Sequence, residues 1–245
     1  MPVVKYRHHS DHITGLSVLK QSLSEMQNFF VDVGEFFPVL MQGVKFTLLV
    51  TIGSLVLSTV LGLVWALMRV SGIVWLSAIA ATFINIIRGI PILVQLFYIY
   101  FVLPEFGISL SALQAGIIGL GIAYSAYQAE NFRAGIEAID FGQTEAALSI
   151  GMGWFMTMRR VILPQAVRVI LPPYGNIIVM MLKDSSQASA ITVAELTLQG
   201  QILASSTFKN MSVYTLVAMF YLCLSLPLML FVSYLEKRFG KKKGH

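Results

Sequence analysis

"FTLLVTIGSLVLSTVLGLVWALM", residues 46–68, contains no charged side chain. About 23 such positions, at ~1.5 Å of rise per residue, are enough to cross a hydrocarbon core of ~30 Å. In lipid a backbone must satisfy its own N–H and C=O groups, so a continuous apolar run crosses as a helix. A barrel would show alternating segments of about ten residues instead. The whole chain fits this reading: 56% of its 245 residues are hydrophobic and 12% are charged, where a soluble domain carries about 25% charged residues. Mean hydropathy is +0.76. The chain reads as an all-α, polytopic membrane protein.

Four further intervals complete a set of five expected spans. Between Val70 and Leu103 the only charge is Arg88, and the interval is long enough to cross with tilt. Residues 110–129 are uncharged and end at Glu130. Residues 169–182, "VILPPYGNIIVMML", offer only about 14 uncharged positions, or ~21 Å of helix, so this span is expected to be short or broken. Residues 210–235 form the fifth.

The net charge of +5 does not point to nucleic acid, because the basic residues are not interleaved with stacking aromatics. Their distribution fits membrane orientation. With five spans, one set of loops holds Arg69, Arg133, Arg159, Arg160, Arg168, Lys237, Arg238, Lys241, Lys242 and Lys243, ten of the 17 basic residues. The positive-inside rule places these loops and the C-terminus in the cytoplasm and the N-terminus outside. The phenylalanine-rich "NFFVDVGEFFPVL" of residues 28–40 suggests a partly interfacial segment. No apolar h-region with a cleavage site is visible near the N-terminus, so insertion by the spans themselves is expected. The single cysteine, Cys223, lies in an apolar run and reads as a packing residue.

The longest cytoplasmic connection lies between the third and fourth spans and carries "EAALSIGMGWFMTMRRVILP", residues 145–164. Gly142 is expected to end the third helix, "QTEAALSI" to form a short helix, and Gly151 with Gly153 to stop it. A plain amphipathic helix on the membrane surface would need no more. A docking helix for a cytoplasmic partner would use the small side chains of Ala146 and Ala147 to let another surface approach.

Glu145-Ala146-Ala147, then Gly151, then Val161-Ile162-Leu163-Pro164, resembles the EAA loop of ABC importer membrane subunits. The segments "RGIPILVQLFYIY", "AYQAENFRAGIEAIDFGQTEAALSIG", "VILPQAVRVILPPYGNIIVMMLKDSS" and "TVAEL" are similar to the polar amino acid subfamily, of the histidine, glutamine, arginine and glutamate type. The family's usual Val-Pro pair ahead of the loop is replaced by Ile139-Asp140-Phe141. Asn131 and Gln187 stand where aliphatic side chains are typical. The resemblance covers residues 41–238. It implies a type I importer permease with a coupling loop at 134–165, while the charge distribution makes residues 1–40 an extracytoplasmic or interfacial tail and 239–245 a basic cytoplasmic tail. It further implies that Gly142, Glu145, Ala146, Ala147, Gly151, Leu163 and Pro164 meet ATP-binding cassette subunits. Those subunits would bind ATP and Mg, with no cofactor and no catalysis in this chain. A second permease subunit, identical or homologous, and an extracytoplasmic substrate-binding protein are the other implied partners.

Four charges fall inside expected spans: Arg88, Glu130, Lys183 and Asp184. An arginine near mid-bilayer costs at least ~2.5 kcal/mol on insertion scales, so such residues face one another or a pathway. Two readings stand together. Arg88 pairs with Glu130 or Asp184 to brace helices, or the four line a polar path for a zwitterion. Gly89-Ile90-Pro91 weakens the helix beside Arg88, since proline removes a donor and frees a carbonyl upstream. A self-sufficient secondary transporter or channel using these charges would be expected to show an internal repeat, and none is evident. The sequence shows no G-x-x-x-x-G-K-[ST] motif and no H-E-x-x-H motif. His8, His9 and His12 with Asp11 read as a solvated cluster rather than a metal site.

Overall fold

A computed structural model describes residues 10–239, with side chains described from Phe29 onward. The N-terminal histidine cluster and the lysines beyond Phe239 fall outside those side chains. All regular structure among the described residues is helical.

Helix α1, Ser10–Val70, contains the opening apolar run and continues without a break through Pro38. Its apolar portion, Phe29–Val70, has 42 residues. At ~1.5 Å per residue that is roughly twice the thickness of a hydrocarbon core. The boundary drawn at residues 40/41 therefore has no counterpart in the backbone. Side chains on both sides of it, Phe36, Leu40 and Val44, share one core cluster with Leu196, Val213 and Val217.

The second interval does not cross as a tilted helix. Helix α2, Val74–Gly89, stops at Ile90, which is extended, and α3, Ile92–Phe97, starts after Pro91. The chain then winds through a π-helical turn, Tyr98–Val102, and a 3-10 turn ending at Phe106. The two limbs make an angle of 100°. The break falls at the predicted Gly89-Ile90-Pro91, where the local chemistry is weakest.

Helix α4, Ala112–Glu137, opens with a reciprocal cap between Ser111 and Gln114. It is the central helix, packing against α1, α2 and α3. Glycines let it run beside α1: a Cβ on Gly62 would lie 2.6 Å from Cβ of Gln128, and one on Gly121 would lie 2.6 Å from Cδ2 of Leu57.

Helix α5, Phe141–Ser149, is the expected loop helix. Gly142 does not end α4, which stops at Glu137. Gly142 sits in the first turn of α5, where its N–H donates to Oδ1 of the capping Asp140 at 2.7 Å. Gly151 adopts φ +82°, the left-handed conformation that terminates helices. Gly153 instead caps the start of α6, Trp154–Thr157.

The fourth span is neither short nor broken. From α6 the helix continues through a π-helical turn, Met158–Ile162, into α7, Leu163–Asp184, and a 3-10 turn, Ser185–Ile191. The stretch Trp154–Ile191 totals 38 residues. Charge-free counting missed it because Arg159, Arg160 and Arg168 ride on the exposed surface of the same helix.

Helix α8, Leu196–Thr207, which the sequence reading did not anticipate, leads by a turn at Phe208 into α9, Asn210–Phe239. Cys223 lies on the exposed surface of α9 rather than packed inside. Helix α7 packs on both α4 and α9. Three helical stretches are long and apolar enough to cross a membrane, and the bent α2/α3 pair makes a fourth. Helix α4 has the length, but its polar side chains lower its apolarity.

Candidate functional site

The charges expected inside spans are carried by α2, α4 and α7, of which α2 and α7 each pack against α4. Tyr124, fully buried on α4, donates its hydroxyl to Oδ2 of Asp184 at the end of α7, at 2.7 Å. One turn along α4, the Tyr127 ring lies 5.8 Å from that of Tyr124. The guanidinium of Arg88, in the last turn of α2, sits 5.5 Å from the Tyr127 ring centroid. Arg88 and Asp184 are thus linked through two neighbouring tyrosine rings tilted 46° to each other, with no direct ion pair between them.

Each contact has a physical reason. Arg88 is favoured at a helix C-terminus by the backbone dipole, and its cation is attracted to the electron-rich face of a tyrosine. Asp184 would leave a charge without a partner in the bundle, and Tyr124 supplies a donor. The helix-bracing reading, in which Arg88 pairs with Glu130 or Asp184, is not what the side chains do. Glu130 accepts from Arg133 at 2.7 Å on its own helix. Among the described residues neither Arg88 nor Lys183 makes a salt bridge, and both are exposed on the isolated subunit. A guanidinium on one side of the tyrosine pair and a carboxylate on the other set charges of both signs along one face of α4.

The tyrosines were missed in the sequence. Their spacing with Glu130 in "AYSAYQAE", residues 123–130, is a polar stripe at helical intervals, and that was the available signal.

The loop residues separate into two groups. On α5, Ala147 is buried while Glu145 and Ala146 are exposed, so the small size of Ala147 serves internal packing and Ala146 alone offers close approach outward. Gly151 and Pro164 are exposed, and Leu163 is half-buried beside Ile162. Exposed Phe141, Leu148, Ile150 and Phe155 surround Glu145 in sequence, a density of apolar surface unusual for a polar connection. Between α5 and the bundle lies a cavity of about 630 Å³ lined by Val70, Ile139, Phe141, Trp154 and Met158 among others.

A third polar centre was also missed. Glu195, fully buried, caps α8 by accepting from the N–H groups of Thr197 and Leu198 at 2.9 and 2.8 Å, and it accepts from the hydroxyl of Tyr221 at 2.7 Å. Thr47 of α1 accepts from the N–H of Leu196 at 3.1 Å. Burial pushes the Glu195 carboxyl above the usual carboxylate range, against the pull of these donors.

Comparison with known proteins identifies the family. Residues 58–241 match the family described as binding-protein-dependent transport system inner membrane component. A probable amino-acid ABC transporter permease protein, YckA of Bacillus subtilis (strain 168), is 40% identical over 206 residues, covering 84% of this chain and 91% of that one. The glutamine transport system permease protein GlnP of Escherichia coli (strain K12) is 37% identical over 203 residues, covering 82% and 93%. Among solved structures, that of an amino acid ABC transporter with histidines aligns at TM-score 0.80 and 41% identity over 85% of this chain and 98% of that chain. The chain belongs to the binding-protein-dependent transport system inner membrane components, the multi-pass permease subunits of ABC importers. That membership sets aside a self-sufficient secondary transporter.

Proposed function

We propose that this permease carries a polar amino acid across the cytoplasmic membrane, and that Arg88 and Asp184 contact it on the way. The succession Arg88, Tyr127, Tyr124 and Asp184, running along α4 from the end of α2 to the end of α7, carries the reading. Arg88 is permanently charged and offers a bidentate fork to a carboxylate. Asp184 takes the ammonium, with Tyr124 holding the carboxylate in place. Lys183 adds a second cation beside it. Glu130, tied to Arg133, lies one turn further along α4 as a further acid of the path. The names of the relatives, amino-acid and glutamine permeases, support this substrate class.

The exposed loop around Glu145 and Ala146 docks on ATP-binding cassette subunits, which bind ATP and Mg and perform the hydrolysis. A second permease subunit completes the pathway, and an extracytoplasmic binding protein delivers substrate. The clustering of Arg69, Arg133, Arg159, Arg160 and Lys237 at the α5 end supports a cytoplasmic location for that end. ATP-driven closure of the partner pair shifts the balance between inward-open and outward-open forms through contacts that differ between them.

Reconstitution of the complete complex in liposomes tests the substrate reading. Asp184→Asn should lower uptake of L-glutamine, or of whichever standard amino acid the parent carries fastest, while assembly and basal ATP hydrolysis persist. Parent-level uptake by both Asp184→Asn and Arg88→Met would sink it.

A further inference from the structure

Pro91 has no N–H, so the carbonyl of Ile87, four residues before it, has no helical partner. The carbonyl of Ile90 loses its partner too, because the N–H groups of Val94 and Gln95 both turn to the Pro91 carbonyl. In the membrane such orphaned acceptors are costly. Both are taken by one side chain: Nε2 of Gln95 donates to Ile87 and to Ile90, each at 2.8 Å. The two amide hydrogens of Gln95 are thereby used across the break, and its side chain is buried. The opposite amide orientation would set an oxygen against two carbonyl oxygens, so the assignment of the nitrogen is dictated by its neighbours. Gln95 is itself anchored, since the adjacent Leu96 is fully buried and packs where Gly119 of α4 leaves no room for a Cβ, at 2.6 Å from Leu96 Cδ2.

We infer that Gln95 is a positioning residue for transport: its amide clamps the two freed carbonyls and so sets the 100° bend at which α2 presents Arg88 to the tyrosine pair. The residue bonded at Ile87 is the immediate neighbour of Arg88, so losing the clamp frees the turn that aims the guanidinium. The inference rests on Arg88 meeting the substrate carboxylate, and the test separates the two claims. Gln95→Met keeps the length of the side chain and removes both donors. Gln95→Glu keeps the shape and turns an oxygen toward the two carbonyls.

The experiment uses the complete complex in liposomes, with uptake of L-glutamine, or the fastest-carried standard amino acid, measured as KM and Vmax. The decarboxylated amine of the same substrate serves as a competitor lacking the group that Arg88 binds. Gln95→Met should raise KM on the order of 10-fold with Vmax within about 2-fold, and should reduce discrimination against the amine as Arg88→Met does. The double variant should be no worse than Arg88→Met alone, because both changes act through one contact. If Arg88→Met alters KM and discrimination while Gln95→Met and Gln95→Glu do not, the Arg88 reading stands and the positioning role fails. If Arg88→Met alters neither, the substrate reading fails and the positioning role falls with it. A Gln95 defect confined to Vmax or to assembly, in both variants, would reduce the residue to a brace and overturn the inference.

Discussion

The hydroxyl of Tyr124 and the carboxylate of Asp184, sixty positions apart in the chain, are held 2.7 Å apart where α4 crosses the end of α7. Removing the hydroxyl leaves Asp184 short of its donor in a site where an unsatisfied polar group costs about 1–3 kcal/mol. Tyr124→Phe should assemble but show a lower unfolding temperature and, with about half of that cost borne in substrate contact, a KM raised about 2- to 10-fold. Uptake kinetics on the purified complex check it. A parent-like KM would detach Tyr124 from the path.

The docking surface is testable without disturbing the bundle, since Glu145 and Gly151 are both exposed. Glu145→Lys reverses charge on α5, and Gly151→Asp forces a side chain into the left-handed region at φ +82°, a strain of about 1–2 kcal/mol. Each should abolish substrate-stimulated ATP hydrolysis while the permease remains in the membrane at parent-like amounts. Co-purification with the ATP-binding subunits distinguishes lost docking from lost coupling. Normal stimulated hydrolysis in both variants would remove the assignment.

Orientation follows from the charge distribution. With Cys223 replaced by serine, Ser205→Cys on α8 should react with an impermeant maleimide in intact cells. Ser149→Cys on α5 should react only once the inner face is opened. The reverse pattern would invert the topology.

Glu195 gives a pH dependence. Its carboxyl is raised by burial, so the folded state favours the protonated form relative to the unfolded chain. The associated stabilisation is complete below the ordinary carboxylate range and is lost as pH rises through the raised value. Compared with Glu195→Gln, which cannot titrate, the parent should gain in thermal stability as pH is lowered from 7.5 toward 4.5. Equal pH profiles for the two proteins would mean that the carboxylate is already compensated by the α8 amides and Tyr221.

Where the sequence reading went astray, the cause is visible residue by residue. Charge does not mark the boundary of the fourth span, since Arg159, Arg160 and Arg168 are carried on the outside of a continuing helix. Glycine favours a helix stop, but at Gly142 the capping Asp140, one residue before Phe141, starts α5 instead. Apolar neighbours suggest a packed Cys223, whereas in a membrane protein an apolar stretch also serves the outer face, where Cys223 lies. The break at Gly89-Ile90-Pro91 and the stop at Gly151 were legible, since proline and glycine act through their own backbone chemistry.

Composition and uninterrupted apolar runs determined that this protein lies in the membrane as helices, because transfer into lipid and backbone self-satisfaction depend on local sequence. The helix formers of "QTEAALSI" and the glycine that follows likewise determined the loop helix and its end. Only the tertiary structure decided that Arg88 rests on Tyr127 while Asp184 bonds Tyr124, that Glu130 is diverted to Arg133, and that Gln95 closes the helix break. Those choices depend on which helix faces which at a given depth. The glycine contacts that let α1 and α4 approach, and the 100° turn between α2 and α3, set that depth, and neither is a property of any short stretch of the chain.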